Sequence, residues 1–230
     1  MSAGASAVMG RGLFVTGTDT GVGKTLVACA LVHRLREKGW SVAGMKPVAA
    51  GCEDGRSPDV EALAGASGRP FPRALINPYP LALPIAPHLA ARSEGVEIRP
   101  QPILEAFRRL AQEAEGVIVE GVGGFRVPLA SDWDTADLAV RLALPMILVV
   151  GMRLGCLNHA LLTGEAIRAR GLRLAGWVAN TLDPAMAAFH DNVAALEERL
   201  GAPCLGVVPA LPQPDPQAAA RFLRLPPPWE

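Results

Sequence analysis

Charge of either sign is scarce in this 230-residue chain: 19% of residues are charged, and 22 basic residues balance 22 acidic ones. No basic block interrupts that balance, whereas nucleic-acid binding calls for a basic stripe that replaces counterions on phosphates. A DNA or RNA partner is therefore not expected. The four cysteines, Cys29, Cys52, Cys156 and Cys204, lie far apart and form no CxxC pair. That spacing indicates neither a zinc site nor a disulfide framework, and free thiols in a reducing cytoplasm are expected. No run approaches the roughly 18 apolar residues needed to span a bilayer. The opening MSAGASAVMG has no apolar stretch of the signal-peptide kind. A cytoplasmic protein with no membrane partner is the expectation. Internal repeats are absent too.

What the sequence does have is apolar substance: 50% of its residues are hydrophobic. A single α/β core grows to roughly 250 residues before it splits, so one domain over residues 1–230 is expected. Residues 1–10 are read as a flexible N-terminal tail and 224–230 as an extended C-terminal tail. Short apolar runs alternate with segments of helical period, the pattern of a mostly parallel β-sheet with helices on both faces. The clearest strands are Leu13–Thr16, Ser41–Met45, Val117–Glu120, Met146–Val150, Leu174–Ala179 and Leu205–Val208. Helical period marks Lys24–Lys38, Gln101–Glu115, Asn158–Arg170 and Met186–Leu200. Residues 68–100 are rich in proline, so regular helix is not expected through most of that stretch, and long irregular segments are often functional.

The strongest local signal is GLFVTGTDTGVGKTLVACALVHRL, from Gly12 to Leu35. A buried strand enters a glycine-rich turn, and a helix starts at Lys24. Such a turn presents backbone N–H groups to an anion, and the helix N-terminus adds partial positive charge. Lys24 suits the β- and γ-phosphates of a nucleotide, and the Thr25 hydroxyl suits magnesium. Five residues, Thr18 to Val22, separate Gly17 from Gly23, one more than in the usual phosphate-binding pattern. An ordinary strand-to-helix turn has no need of a lysine and a threonine directly behind two glycines.

Three further residues belong beside that loop. Glu120 ends a strand, and ligands of open α/β sheets sit at the carboxyl ends of strands. A carboxylate there can bind magnesium directly or through water, or cap the following loop. Lys46 follows another strand and is pinned by Pro47; its ammonium points to the same crevice or lies solvated at the strand exit. Asp59, at the start of a predicted helix, reads on position alone as an N-terminal helix acid. No Ser-His-Asp arrangement is apparent.

Together the segments FVTGTDTGVGKT, AGMKPVAAG, NPY, PH, IVEGVGG, LPMILVVGMRLGCLNHALLT, LAGWVAN and LGVVP resemble the dethiobiotin synthetase family, in the family's order from about Leu13 to Leu211. The resemblance implies a P-loop NTPase-like fold and a homodimer with active sites near the subunit interface. It also implies a reaction. Diaminopelargonic acid takes up carbon dioxide as a carbamate, which attacks the γ-phosphorus of ATP. The second amine then closes the mixed carbamic–phosphoric anhydride to dethiobiotin, releasing ADP and phosphate.

Matched to the family's motifs, Lys46 and Lys24 are the catalytic lysines, and Thr25, Asp59 and Glu120 the magnesium ligands. The resemblance thus replaces the plain helix-acid reading of Asp59. Gly21, Val22, Gly23, Lys24, Thr25 and Leu26 form the triphosphate cradle, with Glu120, Gly121, Val122 and Gly123 close by. Asn180 reads the adenine, Thr181 beside it belongs to the ATP-binding set, and Pro209, Ala210 and Leu211 line the base. Thr20, Ala50, Gly155, Cys156 and Asn158 fall to the diamine substrate, the last three from a stretch that reaches across the dimer. Packing in the core or at the interface remains an open reading for Cys156 and His159.

Two positions depart from the family's pattern. Some members carry an acidic residue where Gly21 stands. Many carry serine or threonine at Ala50, so a hydrogen bond to the diamine, worth about 0.5–1.5 kcal/mol, is expected to be missing. A partitioning or metallochaperone-type switch ATPase is the main rival reading, although no early lysine appears from Gly17 to Thr20. A cobyrinate-type amide ligase normally carries a glutaminase domain, for which this chain is too short. A non-enzymatic nucleotide-binding module leaves Lys46, Asp59 and Glu120 unexplained.

Overall fold

A computed structural model describes residues 12–229. The proposed N-terminal tail, residues 1–10, lies outside the described residues. Six parallel strands form one sheet in the order β2-β5-β1-β6-β7-β8. These are β1 (Gly12–Gly17), β2 (Val42–Met45), β5 (Gly116–Glu120), β6 (Met146–Met152), β7 (Leu174–Thr181) and β8 (Cys204–Val208). All six strands expected from the sequence are present, and the parallel order matches the expected fold class. Parallel pairing hides both faces of the sheet, and every residue of β1, β2, β5 and β6 is buried.

Alternation along β1 sends Leu13 and Val15 to one face and Phe14 to the other. On the first face lie α1 (Lys24–Glu37), through Val27, Leu31 and Leu35, and the short α9 (Pro216–Ala220). On the second lie α5 (Pro100–Glu113), α6 (Thr135–Leu142), α7 (Cys156–Ala169) and α8 (Phe189–Arg199). Helix α5 shows the cause plainly. Pro100 occupies a first-turn position that needs no N–H, and Ile103, Phe107 and Leu110 recur at helical spacing to bury one stripe. Fully burying such side chains contributes about 1.5–3 kcal/mol each, before the entropy of ordering them is subtracted.

The proline-rich stretch lacks regular helix over most of its length, as expected. It holds two short helices, α3 (Arg73–Ile76) and α4 (Pro87–Ser93), and strand β4 (Tyr79–Leu81), which pairs in parallel with β3 (Val48–Ala50). Its prolines start elements as well as break them: Pro87 sits in the first turn of α4. Helix α2 (Pro58–Ala66) begins at the Ser-Pro step before Asp59, as expected. Helices α6 and α9 had no counterpart among the helical stretches read from the sequence. Among the described residues the C-terminal segment forms no helix or strand after α9, but it is docked: Leu223, Leu225 and Trp229 are buried, and the Trp229 and Trp40 ring centroids lie 5.1 Å apart.

Candidate functional site

The carboxyl edge of the sheet carries the loops that follow β1, β2, β5, β6, β7 and β8. Register places them side by side: Val15 pairs with Glu120, Val150 with Ala179, Gly151 with Asn180, and Asn180 with Val208. Glu120 and Asn180 therefore stand on the same rim as the loop that follows β1.

The loop after β1 curls over the start of α1. Gly23, the residue before the helix, has φ +93°, and a Cβ there would stand 2.2 Å from Asn180 Nδ2. Only glycine meets both demands. Lys24 is buried, and its Nζ donates to the Asp19 carbonyl at 2.8 Å. Burial first, then the like charge of Lys46, lower the Lys24 pKa to about 8. Asn180 reaches the same loop and donates from Nδ2 to the Val22 carbonyl at 2.9 Å. Leu26 is half-buried in the first turn of α1.

Beside the loop sits a cluster of charges. Lys46 Nζ lies 2.7 Å from Asp59 Oδ2 and bonds Glu120 Oε1 as well. Thr25 Oγ1 donates to that same Glu120 oxygen at 2.8 Å. Glu120 Oε2, in a residue 1% exposed, has no partner among the described residues. Complete burial pushes the Glu120 carboxyl above its ordinary range, and the neighbouring Asp59 charge adds to the push. Burial also opposes the ionised forms of Asp59 and Lys46. Charge attraction wins: Glu120 first and then Asp59 hold the Lys46 ammonium protonated, and Lys46 holds the Asp59 carboxyl low. The lysine thus occupies the gap between two carboxylates in the way a cation would.

Two hard carboxylates and a hydroxyl suit a magnesium ion, which keeps several waters and takes nucleotide oxygens as further ligands. The partnerless Oε2 of Glu120 is a donor in need of such a group. No cluster of three His, Cys, Asp or Glu occurs among the described residues, so an all-protein cage is not what these residues build. They fit a metal brought in with a phosphate.

The remaining residues lie on several different elements. Gly121 donates its N–H to the Val15 carbonyl at 2.9 Å, and Val122 and Gly123 continue the loop, with Thr20 Oγ1 3.6 Å from where a Gly123 Cβ would stand. Thr181 ends β7, and Pro209, Ala210 and Leu211 follow β8, Leu211 packing half-buried on the core. Ala50 ends β3, paired with Leu81. Gly155 and Asn158 are exposed at the start of α7, while Cys156 is 2% exposed and belongs to the core cluster. His159 is exposed.

A protein-family profile described as "AAA domain" matches residues 11–218. The ATP-dependent dethiobiotin synthetase of Nitrosospira multiformis is 58% identical over 201 residues, covering 87% of this chain and 89% of that protein. The one from Aromatoleum aromaticum is 56% identical over 220 residues, covering 94% and 98%. This chain belongs to the ATP-dependent dethiobiotin synthetase family. Among solved structures, the MinC:MinD cell division complex of Aquifex aeolicus aligns with TM-score 0.57 and 15% identity, over 92% of this chain and 85% of that one. A likeness at that identity shows the shared fold and no more.

Against that membership, the two departures have geometric content. Gly21 has φ +74° and open space around its missing Cβ, so the dethiobiotin synthetase loop here is uncharged at its tip and conformationally dependent on glycine. Ala50 offers a methyl group where an oxygen would be needed for a side-chain bond. Sequence reasoning also missed contacts. Arg153 Nη2 pairs with Asp19 Oδ2 at 2.7 Å and so ties the loop before α7 to the phosphate-binding loop; nothing in the spacing links residues 134 apart. Asn77, quoted within NPY but given no role, donates to the Lys46 carbonyl at 2.6 Å.

Proposed function

We propose that this chain is a dethiobiotin synthetase that uses magnesium-ATP to close the ureido ring of diaminopelargonic acid around carbon dioxide. The observation that carries the reading is the group formed by Lys46, Asp59, Glu120 and Thr25 beside a loop shaped for phosphates, in a chain whose relatives bear that name. Phosphoryl transfer asks a protein for positioning and charge neutralisation more than for covalent help. The substrate carbamate is an anion that must approach another anion, and in a dry crevice their repulsion is severe.

Each residue takes a part on this reading. Backbone N–H groups from Gly21 to Leu26 cradle the triphosphate, and Lys24 leaves the Asp19 carbonyl for the β- and γ-phosphates. Lys46 turns from its carboxylates toward the γ-phosphate and the carbamate. Thr25, Asp59 and Glu120 would hold magnesium, which when bound neutralises phosphate oxygens. Asn180 and Thr181 face the adenine, with Pro209, Ala210 and Leu211 along it. Thr20, Ala50, Gly155, Cys156 and Asn158 contact the diamine, Cys156 through its backbone because its side chain is buried. No histidine is assigned a proton.

The partners on this reading are small molecules, and the fold is one P-loop α/β domain. A homodimer is supported by Leu154, which is 98% exposed in the loop before α7, with Leu162 on that helix 56% exposed. Apolar side chains so placed favour a covering surface. A cytoplasmic site accords with free, buried cysteines. Among the described residues no helix is long and apolar enough to cross a membrane. The balanced charge gives no support to a nucleic-acid partner.

The test is phosphate release from magnesium-ATP with and without diaminopelargonic acid and bicarbonate. Release that needs both, with dethiobiotin formed in equal amount, is the expected result. Release indifferent to the diamine would remove the substrate assignment and leave a nucleotide hydrolase.

A further inference from the structure

Lys46 leaves β2 at the edge of the sheet, where one side of a strand has no ladder partner. At Lys46 and Pro47 the segment from Ile76 to Tyr79 supplies that side. The Lys46 N–H donates to the Ile76 carbonyl at 2.8 Å, and the Tyr79 N–H donates to the Pro47 carbonyl at 3.0 Å. Between them, Asn77 Nδ2 donates to the Lys46 carbonyl at 2.6 Å. The two outer bonds are backbone to backbone. The middle one is made by a side chain and can be removed by substitution.

Asn77 is itself held. It closes α3, its N–H donates to the Arg73 carbonyl at 2.8 Å, and its residue is 7% exposed. Its remaining contact is a long one, 3.4 Å to the Tyr79 carbonyl. It also lines a cavity of about 380 Å³, together with Arg56, Val60 and Arg73. Lysine has a flexible four-carbon stem, so where its ammonium stands depends on how firmly its backbone is fixed.

We propose that Asn77 is a positioning residue for Lys46, fixing the backbone from which the ammonium reaches both Asp59 and the phosphate crevice. The inference rests on the reading of Lys46 as a group that acts on phosphate. Without the Asn77 amide, water from the adjoining cavity satisfies the Lys46 carbonyl. The fold then survives while the anchor loosens, and misplacement by about 1 Å is enough to slow a reaction up to ~100-fold.

The experiment is a double-mutant cycle on the full chain, with Asn77→Ala and the isosteric Asn77→Asp placed in the wild type and in Lys46→Gln. Two variants guard against one failing to fold. Turnover is expected to fall about 10-fold in the wild-type background, with KM for ATP within about twofold, the pattern of an interaction realised in the transition state. In Lys46→Gln the same changes should have almost no further effect, because coupled residues are not additive.

Ser67→Ala is the control. It removes the hydroxyl that accepts from the Gly44 N–H at 3.0 Å on the same strand, and it should lower Tm while leaving kcat unchanged. Equal losses of turnover in both backgrounds, or a kcat loss in Ser67→Ala matching that of Asn77→Ala, would overturn the proposal and leave the role of Lys46 intact. Undiminished turnover in Lys46→Gln by itself would overturn the reading beneath it, and the proposal with it.

Discussion

Asn180 and Val22, 158 residues apart, are joined by a 2.9 Å hydrogen bond from the asparagine amide to the loop carbonyl. The bond lays the asparagine side chain against Gly23, whose backbone is left-handed. Two penalties meet in Gly23→Ala: a Cβ 2.2 Å from the amide, and a left-handed conformation costing an L-residue about 1–2 kcal/mol. ADP affinity, measured by calorimetry, should fall at least ~10-fold, the equivalent of about 1.4 kcal/mol. In an Asn180→Ala background the clash disappears and the backbone penalty stays, so the loss should shrink without vanishing. A loss of the same size in both backgrounds would mean that Asn180 does not press on the loop.

The Lys46 ammonium and the Glu120 carboxylate are both nearly inaccessible, at 5% and 0% side-chain exposure. Removing one partner of a buried pair costs about 3–5 kcal/mol, because the other charge is stranded. Lys46→Met should therefore lower the denaturation midpoint strongly, and adding Glu120→Gln should recover much of the loss. Lys46→Gln, which keeps a hydrogen-bond donor, should fold well and still lose turnover on the order of 100-fold, the scale of one preorganised electrostatic group. Near-normal turnover in folded Lys46→Gln would take Lys46 out of the chemistry.

Lys24 titrates near pH 8 in the resting protein, lowered by burial and by Lys46. Below that pH it is charged and attracts a phosphate; above it the attraction is lost, and binding must take up a proton. Affinity for ADP without magnesium should weaken as pH rises through about 8, and Lys24→Gln should bind weakly with a flatter profile. The linkage to folding runs the other way. Between about 8 and the ordinary 10.5 the unfolded chain holds a proton that the folded one has released, so this group's contribution to stability rises across that window. A wild-type affinity that is level from pH 7 to pH 9 would show that Lys24 is not the group whose charge binds the nucleotide.

The sheet was legible because each buried parallel strand is a short apolar run, and the phosphate-binding loop because glycines and a lysine-threonine pair fall between a strand and a helix. Asp59 shows the limit of local reading. By position it is an acid in the first turn of α2, and only the fold carries Lys46 to within 2.7 Å of it. The short α3 and α4 are hard to read because they lie among prolines, yet Pro72 stands just before α3 and Pro87 in the first turn of α4, where a proline costs little. Asn77 and the Arg153–Asp19 pair leave no periodic trace at all. Their meaning lies in contacts between segments, and a sequence does not display those.

Thr135 anchors the loop that follows Glu120. Its Oγ1 donates to the Phe125 carbonyl at 2.6 Å and accepts from the Val127 N–H at 3.0 Å, at a residue 2% exposed. Asp134, just before it, closes a reciprocal capping box with Asp137 that fixes the start of α6. Thr135→Val keeps the shape and strands both backbone groups, which costs about 1–3 kcal/mol when they are buried. Asp134→Ala should cost about 1 kcal/mol through the cap; it also frees Arg126 from its ion pair with Asp134, which adds little because the Arg126 side chain is 59% exposed. The two changes differ in reach. Val127 lies within contact of Gly123, its Cγ2 2.9 Å from where a Cβ would stand, so loosening Val127 loosens the glycine turn beside the phosphates. Urea denaturation should register both variants, while KM for ATP should rise in Thr135→Val and hold in Asp134→Ala. An unchanged KM in Thr135→Val would mean that the glycine turn keeps its shape without the threonine.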